Sequence, residues 1–464
     1  MPHPGAYEVK KVQAPVGIQA VDILAGRFLI WNKYHTVSLS HLDIAWELTE
    51  DGGAIQTGNM PPLEFAAGQR GELVIPFKQP GNLQPGAEYH LKIRFLLAAD
   101  APWATQGHEV AWEQFPVLFP VPAKTTISLS QMPDLTLKVS NDQVHVNGAD
   151  FEAVFSQTEG RLTVYRAHGQ ELLKSGPHEN YFRAPTDIDL LCGNPPASIH
   201  KWRDAGLDRL ERTVISFAAV QVNPKLVEVH VQSLLCATDQ PEGFNSELIY
   251  HVFGNGEIAI NNTVVIDERP PFVPQEGREL FNSGWLGNNT WKFYVPRVGV
   301  ELHLPRALDK LSWFGRGPQE NYADRKLGAA VGHYQSTVTE QFVTYVYPGE
   351  CGGKEDARWI ALTDESGNGL MIIGFDKLHF DALHYSIHDL MEAKHIVALQ
   401  PRDEVILHVD GRHMGVGGDD GWLSQVHPEF LIYPGTYRFA FRLRPLTGRD
   451  NPSDLARTKI EGAF

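Results

Sequence analysis

The chain has 464 residues, 42% hydrophobic and 21% charged, which supplies apolar material for more than one packed core. A formal charge of −16 argues against nucleic acid or an anionic membrane surface as partner, since both call for clustered Lys and Arg. No stretch approaches the roughly 20 apolar residues of a membrane span and the N-terminus has no leader-like apolar core, so a cytoplasmic location is expected by default.

From the N-terminus, residues 21–119 hold short segments that alternate apolar and polar side chains. They are separated by turn signals such as Asp51-Gly52-Gly53, Gln79-Pro80-Gly81 and Gln84-Pro85-Gly86. This spacing predicts a β-sandwich. Pro116, Pro120 and Pro122 resist both helix and central strand, which puts a boundary near residue 125. Strand signals resume at residues 135–139, 162–165 and 226–235. Two hairpins follow: Gly254-Asn255-Gly256 joins residues 248–252 to 258–265, and residues 364–369 turn between 359–362 and 370–375. Near the C-terminus Tyr437, Phe439, Phe441 and Leu443 alternate with Arg438, Arg442 and Arg444, as a half-buried strand requires. Helical signal is scarce; Ser386-Ile387-His388-Asp389 reads as a capping box with Asp in place of Glu, enough for a turn or two. The fold class is therefore all-β, with no βαβ alternation to support a TIM barrel or a doubly wound sheet.

Cys192, Cys236 and Cys351 are odd in number and widely spaced, and they read as free thiols in a reducing compartment. A retaining glycosidase needs two carboxyl groups about 5–5.5 Å apart. Candidates are Glu320, Asp324, Glu350, Asp419 and Asp420, yet Glu320 and Asp324 lie beside Arg316 and Arg325 and read as a structural ion-pair and turn network. His408, Asp410 and His413 offer imidazole and carboxylate ligands, but their spacing matches no standard metal site and predicts structural hydrogen bonding, with His413 in the turn beyond the strand. No phosphate-binding loop or nucleophile elbow is present. The Gly-rich polar run at residues 347–359 reads as a candidate mobile loop or as a plain surface loop. The run GRHMGVGGDDGW at residues 411–422 is built to present something: its glycines permit close backbone approach, Asp419 and Asp420 can tie turn amides, and the Trp422 indole can cover a sugar face. A tight turn with a buried Trp is the plainer alternative.

Taken together, six stretches in register resemble the C-terminal part of the β-galactosidases of glycoside hydrolase family 2. They are residues 181–187 (YFRAPTD), 317–322 (GPQENY) with Asp324-Arg325, the loop at 350–359, the loop at 415–422 with His427-Pro428-Glu429, and upstream residues 2–11 and 103–112. The resemblance covers about residues 1–447. It implies an immunoglobulin-like sandwich over residues 1–125 and a small-chain β-supersandwich of galactose mutarotase type over 126–447, followed by a tail over 448–464. It further implies hydrolysis of terminal β-D-galactose from β-galactosides such as lactose, with the catalytic glutamates and the magnesium and sodium sites on a TIM barrel absent from this sequence. On that basis no catalytic residue and no metal is expected on this chain, and the isolated chain is expected to be inactive. Trp422 matches the tryptophan that the family's small-chain domain places in the sugar site; Glu350, Gly352, Arg358, His413, Asp419 and Asp420 are expected to support that loop. Three positions depart from the family pattern: Gly421 stands in place of Ser, and Cys351 and Ile188 in place of Asn. The partners implied are a β-galactoside, a barrel-bearing chain or segment, and further copies of the same chain in a homo-oligomer. A non-catalytic carbohydrate-binding module that uses the supersandwich surface directly is the alternative reading.

Overall fold

The computed structural model describes residues 2–191, 197–240, 243–268, 292–420 and 426–464. The observed architecture is all-β. Strands β1 (Val16–Asp22), β2 (Arg27–Asn32), β3 (Leu42–Glu50), β4 (Gly53–Met60), β5 (Arg70–Val74), β6 (Tyr89–Leu97) and β7 (Glu109–Pro116) form two antiparallel sheets, ordered β1-β2-β5 and β4-β3-β6-β7. Alternation sets the packing. Leu91, Ile93 and Phe95 point inward from β6 and share one core with Phe28 and Ile30 of β2 in the facing sheet. Each such side chain contributes about 1.5–3 kcal/mol by leaving water.

A helix over Pro4–Val12, which the strand-dominated reading missed, precedes this sandwich. Pro4 at its first position and Lys10 and Lys11 in its last turn suit the helix ends, but it buries no residue. Tertiary contacts hold it in place: Glu8 accepts hydrogen bonds from the backbone amides of Leu327 and Gly328 at 3.1 and 2.7 Å.

After β8 (Thr125–Ile127), five strands form a meander: β9 (Thr136–Val139), β10 (Gln143–Asn147), β11 (Phe151–Ser156), β12 (Arg161–Ala167) and β13 (Gln170–Leu173). It shares its core with a larger antiparallel sheet. That sheet contains β14 (Ser175–Asn180), β15 (Glu211–Asn223), β16 (Leu226–Cys236), β17 (Phe244–Phe253), β18 (Ile258–Ile266), β19 (Arg297–Pro305), β20 (Lys310–Gly317), β21 (Ala330–Thr337), β22 (Lys354–Thr363), β23 (Gly369–Leu383), β24 (Glu404–His413) and β25 (Gly435–Leu446). Its main path runs β14-β19-β24-β23-β25-β18-β17-β16-β15, with β22, β20 and β21 branching from β23. The branch arises because β23 is long: residues 369–374 pair with β25 and residues 379–383 with β24, while β22 pairs with residues 369–373, 378 and 380. The predicted capping box forms, with the Ser386 hydroxyl accepting from the Asp389 amide at 3.1 Å.

The arginine face of β25 is exposed at Arg438, as a half-buried strand would leave it, but covered at Arg442. Arg442 is buried against Glu257 at 3.1 Å and donates to the carbonyls of Leu455 and Thr458. Those carbonyls belong to the C-terminal segment, whose strand β26 (Thr458–Ile460) pairs in parallel with β8. The first sandwich is joined to the larger sheet by reciprocal 2.8 Å hydrogen bonds between Gln114 and the backbone of Val331, and by an ion pair between Arg358 and Glu88. Among the described residues, no helix is long and apolar enough to cross a membrane.

Candidate functional site

The site is assembled where β24 ends. The pairing of β24 with β19 slips between Val298 and Gly299, so that Arg297 lies opposite His413 and Gly299 opposite Asp410. This bulge returns His413 to the face that carries His408 and Asp410, because one extra residue reverses the period of two. His413 is therefore the last residue of the strand rather than part of the turn beyond it.

Below His413 lies a buried charge network. Arg297, fully buried, bonds Asp381 and Asp410 at 2.7 Å each. His408 lies between Asp381 at 2.7 Å and Glu301 at 2.9 Å. Burial works against its charge, but these two carboxylates raise its pKa to about 10. Asp381 is held well below the usual carboxylate range, because His408 and Arg297 overcome its burial. His408 and Asp410 thus serve the sheet interior, as their spacing predicted, and do not converge on a common point with His413.

Three family-like segments meet at the base of the Gly-rich loop. Arg183 donates to the carbonyls of Met414 and Gly415 at 3.3 and 3.1 Å, and is paired with Asp189 at 2.9 Å. Asp324 accepts from the amides of Val416 and Gly417 at 2.9 and 2.8 Å, an Asx-type clamp across 92 residues of chain. Gly415 is needed there: a Cβ would lie 2.4 Å from Asp324 Oδ2. Farther along the loop, Asp419 pairs with His427 at 2.8 Å on the exposed surface, bridging the two ends of residues 420–426. Asp420 is exposed beside it. Trp422 and Gly421, like Cys192 elsewhere, lie outside the described residues.

The run at 347–359 is packed rather than presented to solvent at its centre, where residues 348–354 are buried. Glu320 accepts from the Gly352 amide at 2.8 Å and pairs with Arg325 and Tyr345; Lys354 donates to the Gly352 carbonyl at 2.9 Å. Gly352 has a φ of 82°, a left-handed conformation that suits glycine. Glu320 thus makes the structural ion pair its arginine neighbours implied, whereas Asp324 serves the loop amides instead of an arginine. Arg358 faces away from this cluster: it pairs with Glu88 and lines a crevice of about 240 Å³ between the first sandwich and the larger sheet. Cys351 is buried and unbridged, and burial pushes its thiol pKa up.

Glu350, His413 and His379 come together beneath the loop. Glu350 accepts a hydrogen bond from Tyr322 at 3.2 Å and lies 3.7 Å from His413 Nε2. Burial raises its pKa to about 7, against the opposing pull of Arg297. The rings of His379 and His413 stack with centroids 4.3 Å apart. Burial, followed by the proximity of His379 and Arg297, lowers the pKa of His413 well below its ordinary value. His379 and Arg297 escaped the sequence reading, and Tyr322 entered it only as part of the 317–322 motif. His379 falls at an ordinary alternating position of a strand, and only the pairing of β23 with β24 brings it to His413.

Comparison with known proteins places the chain in a family. Residues 147–443 match the family described as beta galactosidase small chain, and residues 28–118 match domain 4 of β-galactosidase. A β-galactosidase of Priestia megaterium is 31% identical over 448 residues, which cover 96% of this chain and 40% of that protein. One from Vibrio cholerae is 31% identical over 458 residues, with the same two coverages of 96% and 40%. The chain thus spans about 40% of the length of the curated relatives it matches. A GalM/aldose epimerase homologue from C. elegans aligns with 68% of this chain and 99% of its own at 10% identity, with a TM-score of 0.31, too loose a likeness to bear on function.

Proposed function

The chain belongs to the β-galactosidase small-chain family, and from that premise we propose that it is the C-terminal portion or small subunit of a retaining β-galactosidase. In this reading it contributes Trp422 and the loop around it to a sugar site completed by a separate catalytic barrel. The observation that supports it most is the clamp on that loop. Arg183 and Asp324, from two distant segments, hold residues 414–417 by four hydrogen bonds to backbone atoms. A surface turn of no consequence has no need of two buried or half-buried charged side chains at its base.

The chain's part is positioning. The aromatic face of Trp422 covers the apolar face of galactose, while the carboxylates that break the glycosidic bond, together with the magnesium and sodium ions, belong to the barrel. In the assembled enzyme, Trp422→Ala weakens galactoside binding by about 1 kcal/mol or somewhat more. Inhibition constants for galactose analogues check this, and unchanged constants would contradict the role. Calorimetric titration of the isolated chain with galactose and lactose tests the reading from the other side. It predicts no measurable binding, whereas micromolar affinity would make the chain a carbohydrate-binding module in its own right.

A further inference from the structure

The tautomers of the two stacked histidines can be read from their partners. His413 Nδ1 lies 2.8 Å from the Met414 carbonyl, and His379 Nδ1 lies 2.9 Å from Glu355 Oε1. A carbonyl and a carboxylate only accept, so each Nδ1 carries the proton and each Nε2 presents a lone pair. Both Nε2 atoms are buried and have no hydrogen-bond partner among the described residues. Two bare acceptors side by side in a protein interior are costly unless something between them supplies positive charge. Glu350 adds a third donor: one ligand atom from each of the three residues lies within 4.8 Å of the others. Among the described residues Glu350 has no Lys or Arg within ion-pairing distance, since the nearby Arg297 and Arg183 are paired with Asp381, Asp410 and Asp189.

We propose that Glu350, His379 and His413 form a binding site for a divalent transition-metal ion, with zinc the best match. Two imidazoles and one carboxylate suit zinc and its neighbours, whereas magnesium prefers an all-oxygen shell. Ligands about 2.1 Å from a tetrahedral ion sit about 3.4 Å from one another. The 3.7 Å between His413 Nε2 and Glu350 is already close to that, and the remaining ligand atoms need only small side-chain rotations. The outer groups are in place as well: a carboxylate behind His379 and a carbonyl behind His413 fix the rings as metal-bound histidines require. Gly353 leaves room for the rings, because a Cβ there would lie 2.6 Å from Tyr322 and 2.7 Å from His379 Cε1. An ion at this point ties the end of β24, and hence the Gly-rich loop, to β23 and to the 350–354 segment. The inference does not depend on the galactosidase reading.

The test uses the full chain, free of any histidine tag, stripped with EDTA and then exposed to zinc chloride. About one tightly held zinc per chain is expected after gel filtration, with a raised melting temperature. Cobalt chloride should give a visible absorption band that zinc abolishes and magnesium chloride does not. His379→Gln should lower zinc affinity at least about 100-fold, and Glu355→Gln, which spares all three ligands, about 10- to 100-fold. His427→Ala, at the exposed pair with Asp419, should bind as the parent chain does. Zinc retention that is absent, or equal in the parent and in folded His379→Gln and Glu355→Gln chains, would overturn the proposal; so would displacement by magnesium.

Discussion

At the residue scale, the five carboxylates that the sequence drew toward chemistry fall into different roles. Asp324 and Glu320 are fasteners, and only Glu350 is a buried carboxyl without a cation of its own among the described residues. Replacing Asp324 by Ala removes acceptors from the Val416 and Gly417 amides, and charge-assisted bonds of this kind contribute about 1.5–3 kcal/mol each. Asp324→Ala is therefore expected to lower the unfolding free energy by about 3 kcal/mol or more, measured by urea denaturation, and a loss of a few tenths would show that the clamp is idle. His408 supports a pH prediction. Its pKa rises from 6.5 unfolded to about 10 folded, so its contribution is fully present below pH 6.5 and is lost as pH climbs through 10. Denaturation midpoints of the parent chain should fall between pH 7 and 10, and His408→Gln, less stable at pH 7, should lack most of that slope. Parallel profiles would sink the assignment. Little of this was written locally. Asp324 could be read beside Arg325, but its true partners are amides 92 residues away, and no periodicity announces such a bond.

At the element scale, local chemistry carried much further. The hairpins at 254–256 and 364–369 formed as read, because turn residues and alternating flanks act within a dozen residues. The bulge opposite Gly299 did not show in the sequence, since it is a property of two strands rather than one. It nonetheless decides which face His413 occupies. The segment after β25 was read as a tail, and it covers that strand's arginine face at Arg442, held by the β26–β8 pairing. Truncation after residue 447 is therefore expected to leave the Arg442 and Glu257 pair open on one side and to cost at least about 2–3 kcal/mol. Equilibrium denaturation checks this; a truncated chain as stable as the full one would mean that the tail is only draped on the surface.

For the whole molecule, the all-β class followed from composition and alternation, while the association with β-galactosidases rested on six motifs in register. The structure brings the motifs at 181–187 and 317–325 together at the start of a third, the loop at 415–422. That convergence gives the sequence resemblance a physical meaning: the motifs fasten residues 414–417, the start of the loop whose Trp422 the proposed function assigns to the sugar. The most direct measurement is hydrolysis of a chromogenic β-galactoside by the purified chain alone, by a barrel-bearing segment of a β-galactosidase, and by the two mixed. The account predicts no turnover by this chain alone, activity on mixing, and weaker substrate binding when the mixed chain carries Trp422→Ala. Robust turnover by the isolated chain, or a mixture indifferent to Trp422, would contradict it.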